Sequence, residues 1–475
     1  MNASSLNDRS SVHRYLVPLI LLLLSFASFY ENSLGINPEN FRARHMGSDD
    51  LVLDGVMHAR TGGAPLLGKF VRPDPATAST PEARYAAGDM TGRFDTYESS
   101  FGLQVHVFRL AAAVTGGSSH ALHAVAAIAL ALLVVAFQIG ITRLASPAAG
   151  IGFGLAIALS PWVSGFGSSL YWFEATWFLP AAIALLMGAR AMALRQYYAA
   201  MLGLILIAFL IKFLCGYEYA TTVVAATYSF VFLHALRAGR SIKALAGHAL
   251  AIGVVAFVAF GLAMVMHAHA IGPTLAGGFD HIRETAEKRM SGSGGQQAGF
   301  LEKLCGARGD AEQVKLCKDE YRSSLNASPL KVVTRYFMMP HFIPWIDQIR
   351  ENALASSGES DAAAIKSIGK APSLGKMIDV ARTVSFDGIL ALAITILSIV
   401  AFLAFDAFVF YLIWRQRSPL AWTTLLALLG SLSWFVAAKG HSFVHAHLNY
   451  VLWYLLYIPF GAALIVEWWR GRRAV

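Results

Sequence analysis

The chain has 475 residues, 56% of them hydrophobic and 14% charged, with a mean hydropathy of +0.53. A soluble core of this length needs far less apolar surface, so a soluble globular enzyme is excluded and a polytopic membrane protein is expected. The net charge of +9 collects largely at the ends of apolar stretches, where it reports topology and anionic lipid contact and not nucleic-acid binding.

Stretches of roughly 20 apolar residues suffice to cross the hydrocarbon layer. About ten are read here, near Tyr15–Tyr30, His120–Ile141, Pro147–Gly165, Leu170–Met187, Ala199–Leu214, Tyr219–Leu236, Ala246–His267, Phe386–Trp414, Pro419–Ala437 and Tyr450–Trp468. Lipid gives backbone groups no partner, so each is expected to be helical. The fold class is therefore all-α polytopic membrane protein, with large outer loops carrying amphipathic juxtamembrane helices. Three regions follow: a membrane core over 1–270 that includes a first outer loop at 31–119, an outer region at 271–385, and terminal membrane helices over 386–475. Basic residues (Arg9, Arg14, Arg190, Arg195, Arg237, Arg240, Lys243, Arg415, Arg417, Arg470, Arg472, Arg473) fall on one face of this arrangement. That face is read as cytoplasmic, with both termini on it. The basic start and first apolar run also fit a secretory signal, but no small-x-small cleavage site follows Tyr30, and losing this span would put the termini at odds. An uncleaved helix is expected.

In the first outer loop, Asp49 and Asp50 head a segment whose Val52, Val56 and Ala59 recur at helical spacing. This predicts a short amphipathic helix against the membrane, with the acids at its positive end. Two acids there suit a general base and equally suit N-terminal capping. The stretches 61–65 and 72–75 read as turns, and Tyr97–Phe108 reads as a second membrane-associated or re-entrant helix. Glu98 belongs to a run dense in groups that bind hydroxyls.

Two shorter outer loops carry Tyr171, Trp172 and Glu174, then Lys212, Tyr217 and Glu218. Interfacial aromatics occur in any aromatic belt. Ionisable groups at membrane depth are costly and line polar chambers, which makes these residues candidates for holding a sugar or acceptor. After the seventh span, Gly278–Arg289 reads as a polar helix followed by a flexible 291–296 hinge. Arg283 and Arg289 suit a phosphate there, or simply a solvated face. Cys305 and Cys317 have a spacing suited to a local disulfide, which would contribute on the order of 3 kcal/mol. Cys215 is expected to be unpaired. The run Lys439–Tyr450 gathers Lys439, His441, His445 and His447. The histidines match no strong zinc motif and have no adjacent carboxylate, so no metal is predicted, and Lys439, His441 and His445 are taken as hydrogen-bond donors to a phosphate.

A first span, a long outer loop with Asp49-Asp50, a large late outer region and a polar run before the last helix together resemble the GT-C superfamily of polyprenyl-phosphate-sugar-dependent glycosyltransferases, and within it bacterial members that build cell-envelope or lipid-linked glycans. The resemblance implies a multi-pass inner-membrane enzyme with an extracytoplasmic site, an inverting transfer with Asp49 or Asp50 as base, and cationic donors facing the leaving phosphate; some members of the superfamily use a divalent metal, but this sequence shows no clear pattern for one and no cofactor is predicted. The implied partners are membrane lipid, a polyprenyl-phosphate-sugar donor and a glycan or lipid-linked acceptor. There is no Walker A loop, no GxGxxG after a strand, and no cytoplasmic domain large enough for a nucleotide sugar. A transporter or flippase is the alternative of another class, and an O-antigen ligase or polymerase with a diphosphate-linked donor is a third reading. Long outer loops and the lack of an internal repeat speak against a transporter.

Overall fold

The computed structural model describes residues 3–36, 39–71, 80–290, 314–315, 327–370 and 374–473. The chain is mostly helical. Serine and proline set where its helices begin: Ser146-Pro147, Ser160-Pro161, Ser328-Pro329 and Ser418-Pro419 each place a serine oxygen on a first-turn N–H and a proline at the first helical position. Ser118, Ser241 and Ser385 cap three more helices without proline.

In chain order, α1 (Ala3–Phe29) leads to α2 (Glu39–Arg60), β1 (Gly68–Val71), α3 (Pro81–Ala87), β2 (Arg93–Thr96) and α4 (Leu103–Thr115). The bundle follows as α5 (Ser119–Leu144), α6 (Pro147–Ala158), α7 (Pro161–Phe166), α8 (Ala175–Ala193), α9 (Arg195–Cys215), α10 (Ala220–Arg237) and α11 (Ile242–Ile271). Beyond it lie α12 (Leu275–Met290), α13 (Pro329–Tyr336), α14 (Ile346–Ser356), α15 (Glu359–Lys370) and α16 (Leu374–Thr383). The chain closes with α17 (Phe386–Gln416), α18 (Pro419–Ala437), α19 (Lys439–Val444), α20 (Ala446–Asn449), α21 (Val451–Tyr454) and α22 (Tyr457–Arg473).

Six of the described helices, α5, α8, α9, α11, α17 and α18, are long and apolar enough to cross a membrane. Shorter apolar stretches occur at Tyr15–Phe29, Leu103–Thr115 and Pro147–Ala158. Several expected boundaries move. The third expected span breaks at Ser160-Pro161, the fourth helix starts at Ala175 and not Leu170, and the last is interrupted between Tyr454 and Tyr457. Small residues let the helices approach closely: a Cβ on Gly140 would lie 2.4 Å from the Leu185 side chain, and one on Gly188 2.2 Å from His234.

The described residues of the loops 31–119 and 271–385 gather at one end of the bundle. There α4 meets the C-terminal end of α9, where Gly102 N donates to Leu214 O at 3.1 Å, and α12 packs on α11 and α19. At the other end Arg240 bonds the Met192 carbonyl and Ser146 bonds Glu467. Two features of the loop end differ from expectation. It is not wholly helical, because β1 and β2 pair antiparallel with Phe70 opposite Phe94. And α2 begins at Glu39, so Asp49 and Asp50 sit inside the helix and not at its positive end. The late loop is fastened by a charged cluster: Asp347, fully buried, lies 2.9 Å from His341 Nδ1, and Arg350 reaches Glu351 at 2.7 Å. Cys305, Cys317 and the 291–296 hinge lie outside the described residues, while Cys215 is a buried free thiol.

Candidate functional site

The acids of α2 face two different partners. Leu51, Val52, Leu53, Val56 and Met57 bury the helix against α4 and the loop after α7. That packing carries Asp49 into the interior, where its Oδ1 accepts from Ser169 Oγ at 2.8 Å, Leu170 N at 3.0 Å and Tyr171 N at 2.9 Å. Burial pushes this carboxyl above the usual carboxylate range, opposed by His123 and by the three bonds. Asp50 turns to the ribbon side and pairs with Lys69 of β1 at 3.3 Å and Arg84 of α3 at 3.6 Å. Asp54, one turn on, accepts from Phe70 N at 3.0 Å, and burial raises its carboxyl too. These acids bind the first loop together. Asp54 and Arg84 were not singled out in the sequence, although the Asp50/Asp54 spacing of four places both on one helix face.

Tyr171, Trp172 and Glu174 lie in a packed interior. Gln104 Nε2 donates to the Tyr171 carbonyl at 2.8 Å and the Cys215 carbonyl at 2.9 Å, tying α4 to two turns at once. Trp172 stacks on Tyr219 at 6.1 Å, and Trp177 meets the same ring edge-on at 4.9 Å. Glu174 is 2% exposed, with neither oxygen hydrogen-bonded among the described residues.

Five other expected residues do converge. Glu98, Tyr217, Glu218, Arg283 and His441 line one cavity of about 660 Å³ at the loop end, between α10, α11, α12 and the end of α18. Within its wall His281 Nε2 lies 3.4 Å from Glu98 Oε2, Arg283 lies 3.3 Å from Asp280, and Tyr217 Oη and His267 Nδ1 are 3.1 Å apart. Lys212, buried in the last turn of α9, donates to the Gly216 carbonyl at 2.6 Å and attracts Glu218. Helix α12 is held over this space by a tight fold-back, since a Cβ on Gly278 would lie 2.1 Å from the Ala268 carbonyl oxygen. Asp49, Asp50, Tyr171, Trp172 and Glu174 are not among the lining residues. Arg289 lies in the last turn of α12.

Helix α19 divides the remaining candidates. His441 lines the cavity and its ring is 4.7 Å from that of His445. Lys439 instead donates to the Ala327 carbonyl at 3.4 Å, and Lys331 and Arg335 of α13 lie over Phe443 at 5.6 and 5.2 Å. Sequence reading missed His267, Thr221, Phe260 and Trp434, which line the cavity from within apolar runs. Among the described residues no three His, Cys, Asp or Glu side chains converge as metal ligands.

An apolar groove of about 530 Å³ runs along α9, α10, α11 and α18, with Phe213, Val224, Ile252, Phe257 and Leu429 in its wall. Ala220, Thr221 and Phe260 line both spaces, so the groove and the cavity share a wall at the start of α10. Chemically, the pair offers carboxylates, imidazoles and a guanidinium at one end and a hydrocarbon track at the other. No protein-family model matches this chain, and neither a curated protein nor a solved structure matches it.

Proposed function

We propose that this protein is an integral membrane glycosyltransferase that takes a sugar from a polyprenyl-phosphate donor and passes it, with inversion, to a glycan or lipid-linked acceptor. The observation that carries this reading is a cavity bearing Glu98, Glu218, Arg283 and His441 in an otherwise apolar lining, set against an apolar groove with Ala220, Thr221 and Phe260 as their shared wall. A hydrocarbon chain in the groove would deliver a charged head to Arg283 and His441. Ten crossings are proposed, the six long helices joined by α1, α6 with α7, α10 and α22. Basic residues at the helix ends opposite the cavity favour an extracytoplasmic site in a bacterial inner membrane.

In this reading the acceptor hydroxyl oxygen bonds to the anomeric carbon, the carbon–oxygen bond to the phosphate breaks, and the phosphate leaves with the electron pair. A carboxylate takes the hydroxyl proton. Glu98 and Glu218, which line the cavity, replace Asp49 and Asp50 as the preferred bases. Arg283 and His441 stabilise the charge that gathers on the leaving phosphate.

The test is sugar release or transfer from polyprenyl-monophosphate donors in proteoliposomes, comparing the parent with Glu98→Gln and Glu218→Gln. Loss of at least 100-fold in one variant, at the scale of general-base catalysis, is the expected result. No turnover of any such donor by the parent, with transport of lipid or solute instead, overturns the reading.

A further inference from the structure

Behind the cavity, Tyr219, Tyr336 and Asn449 are each fully buried, and hydrogen bonds orient the Asn449 amide. Tyr336 Oη donates to the Ser442 carbonyl at 2.6 Å, which uses its proton. The Asn449 amide turns its Nδ2 end toward the Ser442 side chain and His441. The other end, Oδ1, accepts from Tyr219 Oη at 2.9 Å. Nδ2 lies 3.3 Å from Ser442 Oγ and 3.4 Å from His441 Nδ1. An amide nitrogen has no lone pair to offer, so His441 Nδ1 must accept, and the ring proton sits on Nε2.

We propose that Asn449 is a positioning residue that fixes His441 as the Nε2–H tautomer, so that a neutral imidazole donates a hydrogen bond to a phosphate oxygen of the ligand. This rests on the lipid-phosphate reading of the cavity. The ring is edge-on to Trp434 at 6.1 Å and 4.7 Å from the ring of His445, and the charged or titratable groups that line the same cavity are Glu98 before α4, Tyr217 and Glu218 before α10, His267 on α11, and Asp280 and Arg283 on α12. Asn449→Asp replaces the donor facing Nδ1 with an acceptor. The neutral ring then carries its proton on Nδ1 and turns a lone pair to the phosphate, while the imidazolium keeps a donor at both nitrogens.

The probe is farnesyl phosphate, with farnesol as control, binding to full-length protein in detergent. At pH 8, Asn449→Asp is expected to bind farnesyl phosphate about tenfold more weakly than the parent, with the difference shrinking as the solution is acidified. His441→Gln supplies an amide donor independent of any tautomer, so the double variant Asn449→Asp/His441→Gln should regain parental binding. Parental binding by Asn449→Asp at pH 8, or no rescue in the double variant, overturns the proposal. Histidine ¹⁵N spectra, with the His441 signal assigned by its loss in His441→Gln, give a readout that needs no ligand. A parent His441 protonated on Nδ1 also overturns it. If the parent binds farnesyl phosphate no better than farnesol, the lipid-phosphate reading falls, while the tautomer still stands or falls on the spectra.

Discussion

Replacing Asp49 by alanine removes one acceptor and strands three donors. Two of them, Leu170 N and Tyr171 N, are backbone groups with no freedom to turn elsewhere, and the third is the Ser169 hydroxyl, which rotates. Each buried donor left unpaired costs about 1–3 kcal/mol, so the two amides alone give about 2–6 kcal/mol, with the hydroxyl adding little. Asp49→Asn retains a carbonyl oxygen for the same donors and should lose far less. The pH dependence has a definite sign. Burial raises the folded carboxyl above its ordinary 3.8, so the folded chain holds a proton that the unfolded chain releases as pH climbs past that value. The Asp49 contribution is greatest below 3.8 and is lost as pH rises to the folded value. Asp49→Asn carries no such proton, and its stability should vary less across that window. Thermal unfolding in detergent, followed by tryptophan fluorescence with Trp172 and Trp177 beside the affected turn, reads all of this. If Asp49→Ala melts like the parent yet abolishes sugar transfer, Asp49 acts in the chemistry, and the anchoring argument is refuted.

In the proposed reading, Thr221→Trp at the wall shared by groove and cavity should cut transfer from a long-chain donor at least tenfold while a donor of two isoprene units loses less; equal loss for both would mean that the groove does not carry the chain. Gly278→Val forces α12 off the Ala268 carbonyl, and accessibility of a cysteine placed at Phe279 should rise in labelling experiments; unchanged labelling would remove α12 from the cavity wall. His341 is held below its ordinary value by burial and then by Arg350, so its contribution to stability is present above about pH 6.5 and is lost as pH falls below it. His341→Gln should flatten the acid limb of the unfolding curve, and an unchanged acid limb would refute this assignment.

The helix starts at Pro147 and Pro419 were legible because a polar residue and a proline open each apolar run, whereas the break at Ser160-Pro161 was not, because the apolar run continues across it. Nor was the ribbon, because Gly68–Val71 and Arg93–Thr96 show little apolar alternation and are joined by a stretch that reads as turns. Their pairing is supported by the distant Asp54 carboxylate on Phe70 N. The acids at 49 and 50 drew notice by adjacency, yet what each does is set by Ser169, Lys69 and Arg84, which sequence spacing cannot bring to them. Tyr217, Glu218 and His441 stood out as polar groups in short outer loops, Glu98 in the long first loop and Arg283 on a polar helix of the late outer region. Thr221, Phe260 and His267 were hidden inside apolar runs, where only helix packing selects the side that faces a cavity. Asn449 closes a polar run that was recognised, but histidines beside it carried the more familiar chemistry.

The shared wall at Ala220, Thr221 and Phe260 has a kinetic consequence. In the proposed reading a lipid-borne substrate comes past it sideways from the bilayer, so the concentration that governs saturation would be its mole fraction among the lipids and not its amount per litre. Adding inert phospholipid at fixed protein and donor would dilute the substrate in two dimensions and slow turnover, although nothing in the aqueous volume had changed.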